Sequence, residues 1–246
     1  MSIVIAEDMQ FQRDYLRAIL AANFADAGPV FDTDDGNRAA DMVREHRPQL
    51  VVLDIKLGGV SGVRAAKQMW SEAPLTRIVF WSQYKDEIYV RELARIVPAE
   101  TVYGYVLKSS SDEKLVAALR AVMIDEQCWI DREIRTVQSR AVSRASGLTD
   151  IEYEALIDIA LGLTDKAIAR RRYLSERGAQ NRLRELYAKL GVDLEQIADD
   201  RWGNTYSPRS RAISMALQRG LINAEEIARE NEALQAWLKR EGALPG

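Results

Sequence analysis

The chain opens on Ser2-Ile-Val-Ile-Ala-Glu-Asp8, a short apolar run that ends in two adjacent carboxylates. Leu50-Val-Val-Leu-Asp54 also ends in a carboxylate, Ile78-Val-Phe-Trp-Ser82 ends in a hydroxyl, and Val102-Tyr-Gly-Tyr-Val-Leu107 precedes Lys108. Apolar runs of this length are typical of buried strands, and the carboxyl ends of parallel strands meet at one edge of an open sheet. We therefore predict that three carboxylates, one hydroxyl and one ammonium group converge at that edge.

Strand-like and helix-like segments alternate through the first half of the chain. Apolar runs near residues 2–6, 29–33, 50–54, 76–82 and 102–107 alternate with segments of helical periodicity near residues 9–23, 36–46, 62–72, 86–95 and 111–124. This alternation is typical of a parallel sheet with helices on both faces. We predict an α/β domain built on a doubly wound five-stranded parallel sheet.

The residue types at the predicted edge indicate phosphoryl chemistry. Clustered carboxylates repel one another unless a cation lies between them, and a few hard oxygen ligands suit Mg²⁺, which also bridges to phosphate. Asp54 stands alone at its strand end and is the candidate nucleophile, because an aspartate can form an acyl phosphate. Glu7 and Asp8 are adjacent and are better placed to hold a metal together. Alternatively, each charged residue merely ends its strand, but their coincidence at successive strand ends favours a site.

The sequence around these residues resembles the receiver domain of two-component response regulators, over about residues 1 to 125. The resemblance implies a flavodoxin-like fold in which Asp54 accepts a phosphoryl group from a sensor histidine kinase. It also implies a Mg²⁺ ion held by Glu7, Asp8 and Asp54 together with the backbone carbonyl of Lys56.

Three further residues match the signalling positions of that family. Ser82 corresponds to the switch hydroxyl, and Lys108 corresponds to the lysine that pairs with the phosphoryl group. Tyr105, three residues before the lysine, corresponds to the aromatic side chain that turns inward on activation. We expect phosphorylation to shift a pre-existing equilibrium through Ser82 and Tyr105.

The composition argues against several other classes of protein. With 47% hydrophobic and 29% charged residues, the composition is that of an ordinary globular chain. No apolar run reaches the ~18 residues that a membrane span needs, and the N-terminus lacks a signal-peptide pattern. The single cysteine, Cys128, excludes an internal disulfide and favours the reducing cytoplasm, while the single histidine, His46, leaves no basis for a histidine metal cluster. We expect a cytoplasmic regulator rather than an enzyme.

The second half of the chain carries the capping pattern of successive helices. Thr149, with Glu152 three residues later, forms a capping box. Thr164 and Ser175 are predicted to begin two further helices, the second of which runs to Leu190. A short helix, a turn and a longer helix are typical of a helix-turn-helix unit, in which the second helix enters the major groove of DNA.

This segment resembles the LuxR/FixJ, or NarL-type, output domain of response regulators. The matching residues are Leu148, Thr149, Glu152, Leu156, Gly162, Leu163, Lys166, Ile168, Ala169, Ser175, the run Lys189-Leu-Gly-Val192 and the stretch 209–222. We predict a receiver at 1–125, a linker at 126–147, an all-α helix-turn-helix domain at 148–222 with an insertion at 193–208, and a C-terminal helical extension at 223–246.

The predicted recognition helix departs from that family at the positions that read DNA. Gly178-Ala-Gln180 stands where a Thr-Val-Lys triplet is common, and Arg172 stands where a buried leucine is usual. Because the formal net charge is −3, any basic DNA-binding face must be local. The side chains that we predict to meet bases or phosphates are Lys166, Arg170, Arg171, Arg177, Gln180, Asn181, Arg182 and Arg184.

These observations predict a response regulator that is phosphorylated on Asp54 and binds DNA as a homodimer to regulate transcription. The alternative is a receiver-controlled regulator of protein interactions whose degenerate helix-turn-helix does not read DNA. Salt-dependent DNA affinity separates the two, because binding to DNA phosphates releases counterions.

Overall fold

The structure is a computed structural model that describes residues 2–58, 60–142, 147–192 and 207–241. The chain forms two compact units, one made of residues 1–85 and 89–137 and the other of residues 86–88 and 138–246. Among the described helices, none combines the length and the apolar character that crossing a membrane would require.

The first unit is a parallel sheet whose strands alternate with helices. The strands are β1 (Ile3–Ala6), β2 (Val30–Thr33), β3 (Leu50–Leu53), β4 (Ile78–Ser82), β5 (Tyr103–Leu107) and β6 (Trp129–Ile130). The helices are α1 (Gln10–Asn23), α2 (Gly36–His46), α3 (Gly62–Glu72), α4 (Glu87–Ile96), α5 (Asp112–Met123) and α6 (Arg132–Val142), of which α4 begins and α6 ends with residues of the second unit. The strand order is β2-β1-β3-β4-β5-β6, which continues the flavodoxin-like order by one strand. The predicted fold class is therefore confirmed.

The sheet has one strand more than the five that we predicted. Strand β6 pairs with β5 through Gly104–Trp129 and Tyr105–Ile130, and it lies inside the segment 126–147 predicted to be a linker. Two residues are too few to produce a recognisable periodic pattern, so pairing with an existing edge, rather than local sequence, defines this strand.

The register of the central strands sets the geometry of the polar edge. Ala6 is level with Leu53, and the amide of Asp54 donates to the carbonyl of Ala6 over 2.9 Å. At the ends of the neighbouring strands β4 and β5, the amide of Lys108 donates to the carbonyl of Ser82, also over 2.9 Å. The apolar parts of β1, β3 and β4 are fully buried, so the polar residues at their ends are held by a rigid core.

The second unit is helical. Its described helices are α7 (Asp150–Ala160), α8 (Asp165–Arg171), α9 (Glu176–Leu190), α10 (Pro208–Gln218) and α11 (Ala224–Arg240). Thr149, Thr164 and Ser175 each accept a hydrogen bond from the backbone amide three residues later, and Thr149 completes its capping box with Glu152. The predicted helix starts are confirmed. Of the predicted insertion at 193–208, residues 193–206 lie outside the described part of the chain.

A buried ion pair replaces apolar packing in the second unit. Asp158, on α7, is fully buried, and its carboxylate receives Arg172 Nε at 2.8 Å and Arg172 Nη2 at 3.0 Å. Arg171 Nη1 donates to the same carboxylate over 2.7 Å. The arginine at the position where leucine is usual is thus matched by an acidic partner from another helix. Desolvation of two charges opposes their attraction, so such a pair makes little net contribution yet is costly to break.

We expect Asp158→Leu to lower the free energy of unfolding by about 3–5 kcal/mol, because the guanidinium groups of Arg171 and Arg172 would both lose the buried carboxylate that they share. The double variant Asp158→Leu/Arg172→Leu should recover part of this loss, because it removes one of the two guanidinium groups that would otherwise lack the carboxylate and leaves Arg171 without it. Urea unfolding followed by far-ultraviolet circular dichroism measures both effects, with Arg172→Leu alone completing the double-mutant cycle. Equal destabilisation of the single and double variants would contradict this account.

Candidate functional site

Three acidic residues and a lysine meet at the carboxyl edge of the sheet. Glu7, Asp8 and Asp54 each offer a carboxylate oxygen, and the three oxygens lie within 4.8 Å of one another. Lys108 Nζ lies 2.8 Å from Asp54 Oδ2 and 2.7 Å from Glu7 Oε2. Glu7 and Asp54 are buried, whereas Asp8 is exposed. The structure therefore brings together four residues that the sequence analysis assigned to one site.

The electrostatics of this cluster favour binding of a cation. The pKa of Glu7 is raised to about 7, chiefly by burial and also by the charge of Asp54, while the hydrogen bond and charge of Lys108 act in the opposite direction. Asp54 Oδ1 is buried and has no hydrogen-bond partner in the described part of the chain. Leaving a buried acceptor unsatisfied costs about 1–3 kcal/mol. A hard divalent ion would satisfy this oxygen and favour the ionised form of Glu7, so the donor set fits such an ion.

Lys108 also contacts an aromatic ring. Its ammonium lies 5.0 Å from the centroid of the Trp81 ring, within the range of a cation–π interaction. Trp81 in turn stacks on Tyr15 of α1, with ring centroids 5.6 Å apart. Sequence reasoning missed this support, because the aromatic ring meets the lysine only when β4 and β5 are neighbours.

Ser82 and Tyr105 lie beneath the loop that follows β4. Ser82 is fully buried, and its hydroxyl accepts a hydrogen bond from the amide of Tyr84 over 3.4 Å. The Tyr105 hydroxyl donates to the carbonyl of Tyr84 over 2.5 Å, and the side chain is 1% exposed. Tyr105 is therefore already turned inward. The backbone of Tyr84 links the two predicted switch residues, a role that its sequence context did not reveal.

The loop between β3 and α3 also borders the site. Lys56 lies two residues beyond Asp54, and its ammonium group lies 5.4 Å from the centroid of the Tyr84 ring. Gly62, the first residue of α3, packs against the Asp54 backbone so closely that a Cβ atom there would lie 1.9 Å from the Asp54 carbonyl oxygen. Only glycine fits, and the requirement comes from close packing across the loop rather than from backbone conformation.

The predicted DNA-reading residues lie mainly on the outer face of α9. Its inner face buries Ala179, Leu183, Leu186, Tyr187 and Leu190. The exposed residues among those predicted to read DNA are Arg177, Gln180, Asn181 and Arg184. Arg184 Nη1 donates to Asn181 Oδ1 over 3.1 Å, whereas Arg182 is partly buried at the flank of the helix. Most of the predicted reading face is accessible.

The basic residues of α8 divide into accessible and occupied groups. Lys166 is exposed, and Arg170 is exposed but donates through Nε to Glu241 over 2.8 Å. Arg171 was predicted to contact DNA, but its side chain is only 10% exposed and binds the buried carboxylate of Asp158. Its charge is thus neutralised inside the unit, and Arg171 does not belong to the accessible set.

Comparison with known proteins identifies relatives of the chain. The family model of the response regulator receiver domain matches residues 3–120. The chain is 30% identical over 206 residues to the oxygen regulatory protein NreC of Staphylococcus carnosus, covering 78% of this chain and 92% of that protein. It is 25% identical over 229 residues to the uncharacterized transcriptional regulatory protein YxjL of Bacillus subtilis, covering 89% and 96%.

Solved structures show the same fold. The response regulator RcsB in its complex with DNA matches with a TM-score of 0.59 at 17% identity, covering 88% of this chain and 98% of that chain. At this level of identity the likeness extends to the fold alone.

We expect Gly62→Ala to displace the backbone of Asp54, because the added Cβ meets a carbonyl oxygen rather than a flexible side chain. Overpacking of this kind costs about 1–3 kcal/mol. The matched control is Gly58→Ala in the same loop, where the added Cβ would lie at an ordinary van der Waals distance, 3.7 Å from the Asp34 carbonyl oxygen. Urea unfolding of the two variants measures the difference. Equal stability of both variants would show that the loop relaxes freely around Gly62.

Proposed function

This chain belongs to the response-regulator family, and we propose that it accepts a phosphoryl group on Asp54 from a sensor histidine kinase and acts as a DNA-binding transcriptional regulator. The observation that carries the proposal is the Asp54 carboxylate itself. It is buried at a strand end, one oxygen is bound by Lys108 and the other lacks a hydrogen-bond partner within the described residues. Glu7 and Asp8 lie beside it.

The chemistry assigned to Asp54 follows from the two environments of its oxygens. Lys108 donates to Oδ2 and a bound cation would meet Oδ1, and the carboxylate attacks phosphorus through one of these two oxygens. An O–P bond to Asp54 forms while the bond between phosphorus and the donor breaks, which gives an acyl phosphate. The Lys108 ammonium then neutralises charge on the phosphoryl oxygens. Mg²⁺ bound by Glu7, Asp8, Asp54 and the Lys56 carbonyl would neutralise further charge.

Transmission of the signal is assigned to Ser82, Tyr84 and Tyr105. A phosphoryl group on Asp54 offers the Ser82 hydroxyl a charged acceptor, which competes with its present hydrogen bond to the Tyr84 amide. Movement of the Tyr84 backbone would shift the carbonyl oxygen to which the Tyr105 hydroxyl donates. Because Tyr105 is already inward, we propose that phosphorylation stabilises a conformation available beforehand rather than creating a new one.

The output is assigned to DNA because α8 and α9 form a capped helix-turn-helix with an exposed polar face on α9. The curated relatives carry names of transcriptional regulators, which supports this assignment. The second candidate is a regulator of protein interactions. It is favoured by the carboxylate partners of Arg170 and Arg171, which leave fewer cations for DNA phosphates.

We expect Asp54→Ala to abolish labelling by acetyl phosphate in the presence of Mg²⁺. Among the described residues of the site, only Asp54 combines a carboxylate oxygen that lacks a hydrogen bond with an adjacent ammonium. Mass spectrometry of the intact protein measures the added phosphoryl group. Asp26→Ala, which removes an exposed carboxylate from the turn after α1, should be labelled like the unaltered protein. Persistent labelling of Asp54→Ala would refute the assignment of Asp54.

We expect the phosphorylated protein to select a two-fold-symmetric sequence from a random duplex pool, because a dimer presents two copies of α9. Arg177→Ala should weaken binding and lower the slope of log affinity against log salt by about 1, because one DNA phosphate no longer meets a cation. Arg64→Ala, at an exposed position of α3 in the first unit, removes the same charge outside the helix-turn-helix and serves as the control. No retention at low or high salt, with phosphorylation verified, would favour the protein-interaction candidate.

A further inference from the structure

Arg13 is a buried cation that faces the backbone of the acidic pair. It lies on α1, and its side chain is 11% exposed. Its Nη1 donates to the carbonyl of Glu7 over 2.6 Å and to the carbonyl of Asp8 over 3.1 Å, and its Nη2 donates to Gln10 Oε1 over 2.5 Å. One guanidinium group therefore holds both residues of the β1–α1 loop that carry the acidic side chains.

The start of α1 makes this interaction important. Within the described residues, its N-cap residue Met9 forms no side-chain cap, and the first turn of the helix carries no acidic residue. A helix start without a capping side chain is restrained less firmly than one with a capping hydroxyl or carboxylate. Instead, the guanidinium group of Arg13, one turn further along α1, restrains the loop by donating to the carbonyl groups of Glu7 and Asp8.

The same guanidinium is anchored to the sheet. Arg13 Nε lies 3.0 Å from Asp32 Oδ2 on β2 and forms an ion pair rather than a hydrogen bond, and Asp32 also pairs with Arg17. Arg17 Nη1 donates in addition to the carbonyl of Val30 over 3.1 Å. Arg13 thus connects the acidic loop to a neighbouring strand, whereas the hydrogen bonds of Arg17 go to that strand and not to the loop.

We propose that Arg13 is a positioning residue that pre-forms the cation site by fixing the backbone of Glu7 and Asp8. The inference rests on the proposed function of this site and adds a residue outside the set of direct ligands. Asp8 is exposed, so the direction of its carboxylate depends on the loop backbone more than on packing. Residues that orient metal ligands typically change metal affinity by about 10–100-fold when they are replaced.

The test measures the Mg²⁺ concentration that gives half-maximal labelling by acetyl phosphate. Arg13→Gln should raise this concentration about tenfold or more, while saturating Mg²⁺ restores the labelling rate to nearly that of the unaltered protein. Arg17→Gln is the matched control, because it removes a charge from the same ion-pair group without touching the loop, and it should leave the half-saturating concentration unchanged. Arg13→Lys should give a half-saturating Mg²⁺ concentration between these two values, because lysine keeps the positive charge but lacks the several N–H donors of the guanidinium group.

Calorimetric titration of Mg²⁺ into the same variants separates failure of this inference from failure of the proposed function. If the unaltered protein binds Mg²⁺ but is not labelled, phosphorylation of Asp54 is refuted, and the affinity ratio between Arg13→Gln and Arg17→Gln still decides the role of Arg13. Equal Mg²⁺ affinity in those two variants overturns the inference. The inference is also overturned if the labelling rate of Arg13→Gln stays low at saturating Mg²⁺. If Arg13→Gln does not fold, the comparison passes to Arg13→Lys, which must then bind Mg²⁺ more weakly than Arg17→Gln.

Discussion

Two buried carboxylates share one ammonium group at the edge of the sheet, and the rest of the first unit is arranged around that constraint. Lys108 bonds both Asp54 and Glu7, yet one positive charge does not balance two negative charges with Asp8 beside them. Burial together with this imbalance raises the pKa of Glu7, and one oxygen of Asp54 lacks a hydrogen bond within the described residues. Binding of a cation would relieve both features, whereas protons would compete with it below a pH of about 7. The site is thus built to be completed by a ligand.

Strand β5, which Lys108 follows directly, is also restrained from the side of β6. Asp131, in the turn between β6 and α6, accepts hydrogen bonds from the Leu107 amide and from the Ser110 hydroxyl, both over 2.8 Å. The amide of Asp131 donates to the carbonyl of Tyr105 over 3.0 Å. One buried residue therefore binds the chain on both sides of Lys108 and at Tyr105. Helix α6 begins directly after Asp131 and runs into residues of the second unit.

The elements that the sequence could predict are those encoded by local patterns. Apolar runs ending in polar residues predicted the strands and the convergence of Glu7, Asp54 and Lys108, and cap residues such as Thr149 predicted helix starts. Features created by partners distant in sequence were not predictable. Strand β6 exists because β5 offers a free edge, and Gly62 is required because Asp54 lies against it. Arg171 shows the same limit in the second unit, because its buried partner Asp158 lies 13 residues earlier, in a helix whose other inward residues are mostly apolar.

Because Arg171 is largely buried and paired with Asp158, fewer of the described basic residues are available to contact DNA than we predicted. Lys166, Arg177 and Arg184 are exposed, and Arg170 shares its charge with Glu241. Each ion pair with a DNA phosphate contributes to affinity through counterion release, so one copy with few such pairs binds duplex DNA weakly at physiological salt. Two linked copies turn the second binding event into an intramolecular step and multiply the affinity without any new side chain. In the proposed dimer, control of pairing by the receiver would then become control of DNA occupancy.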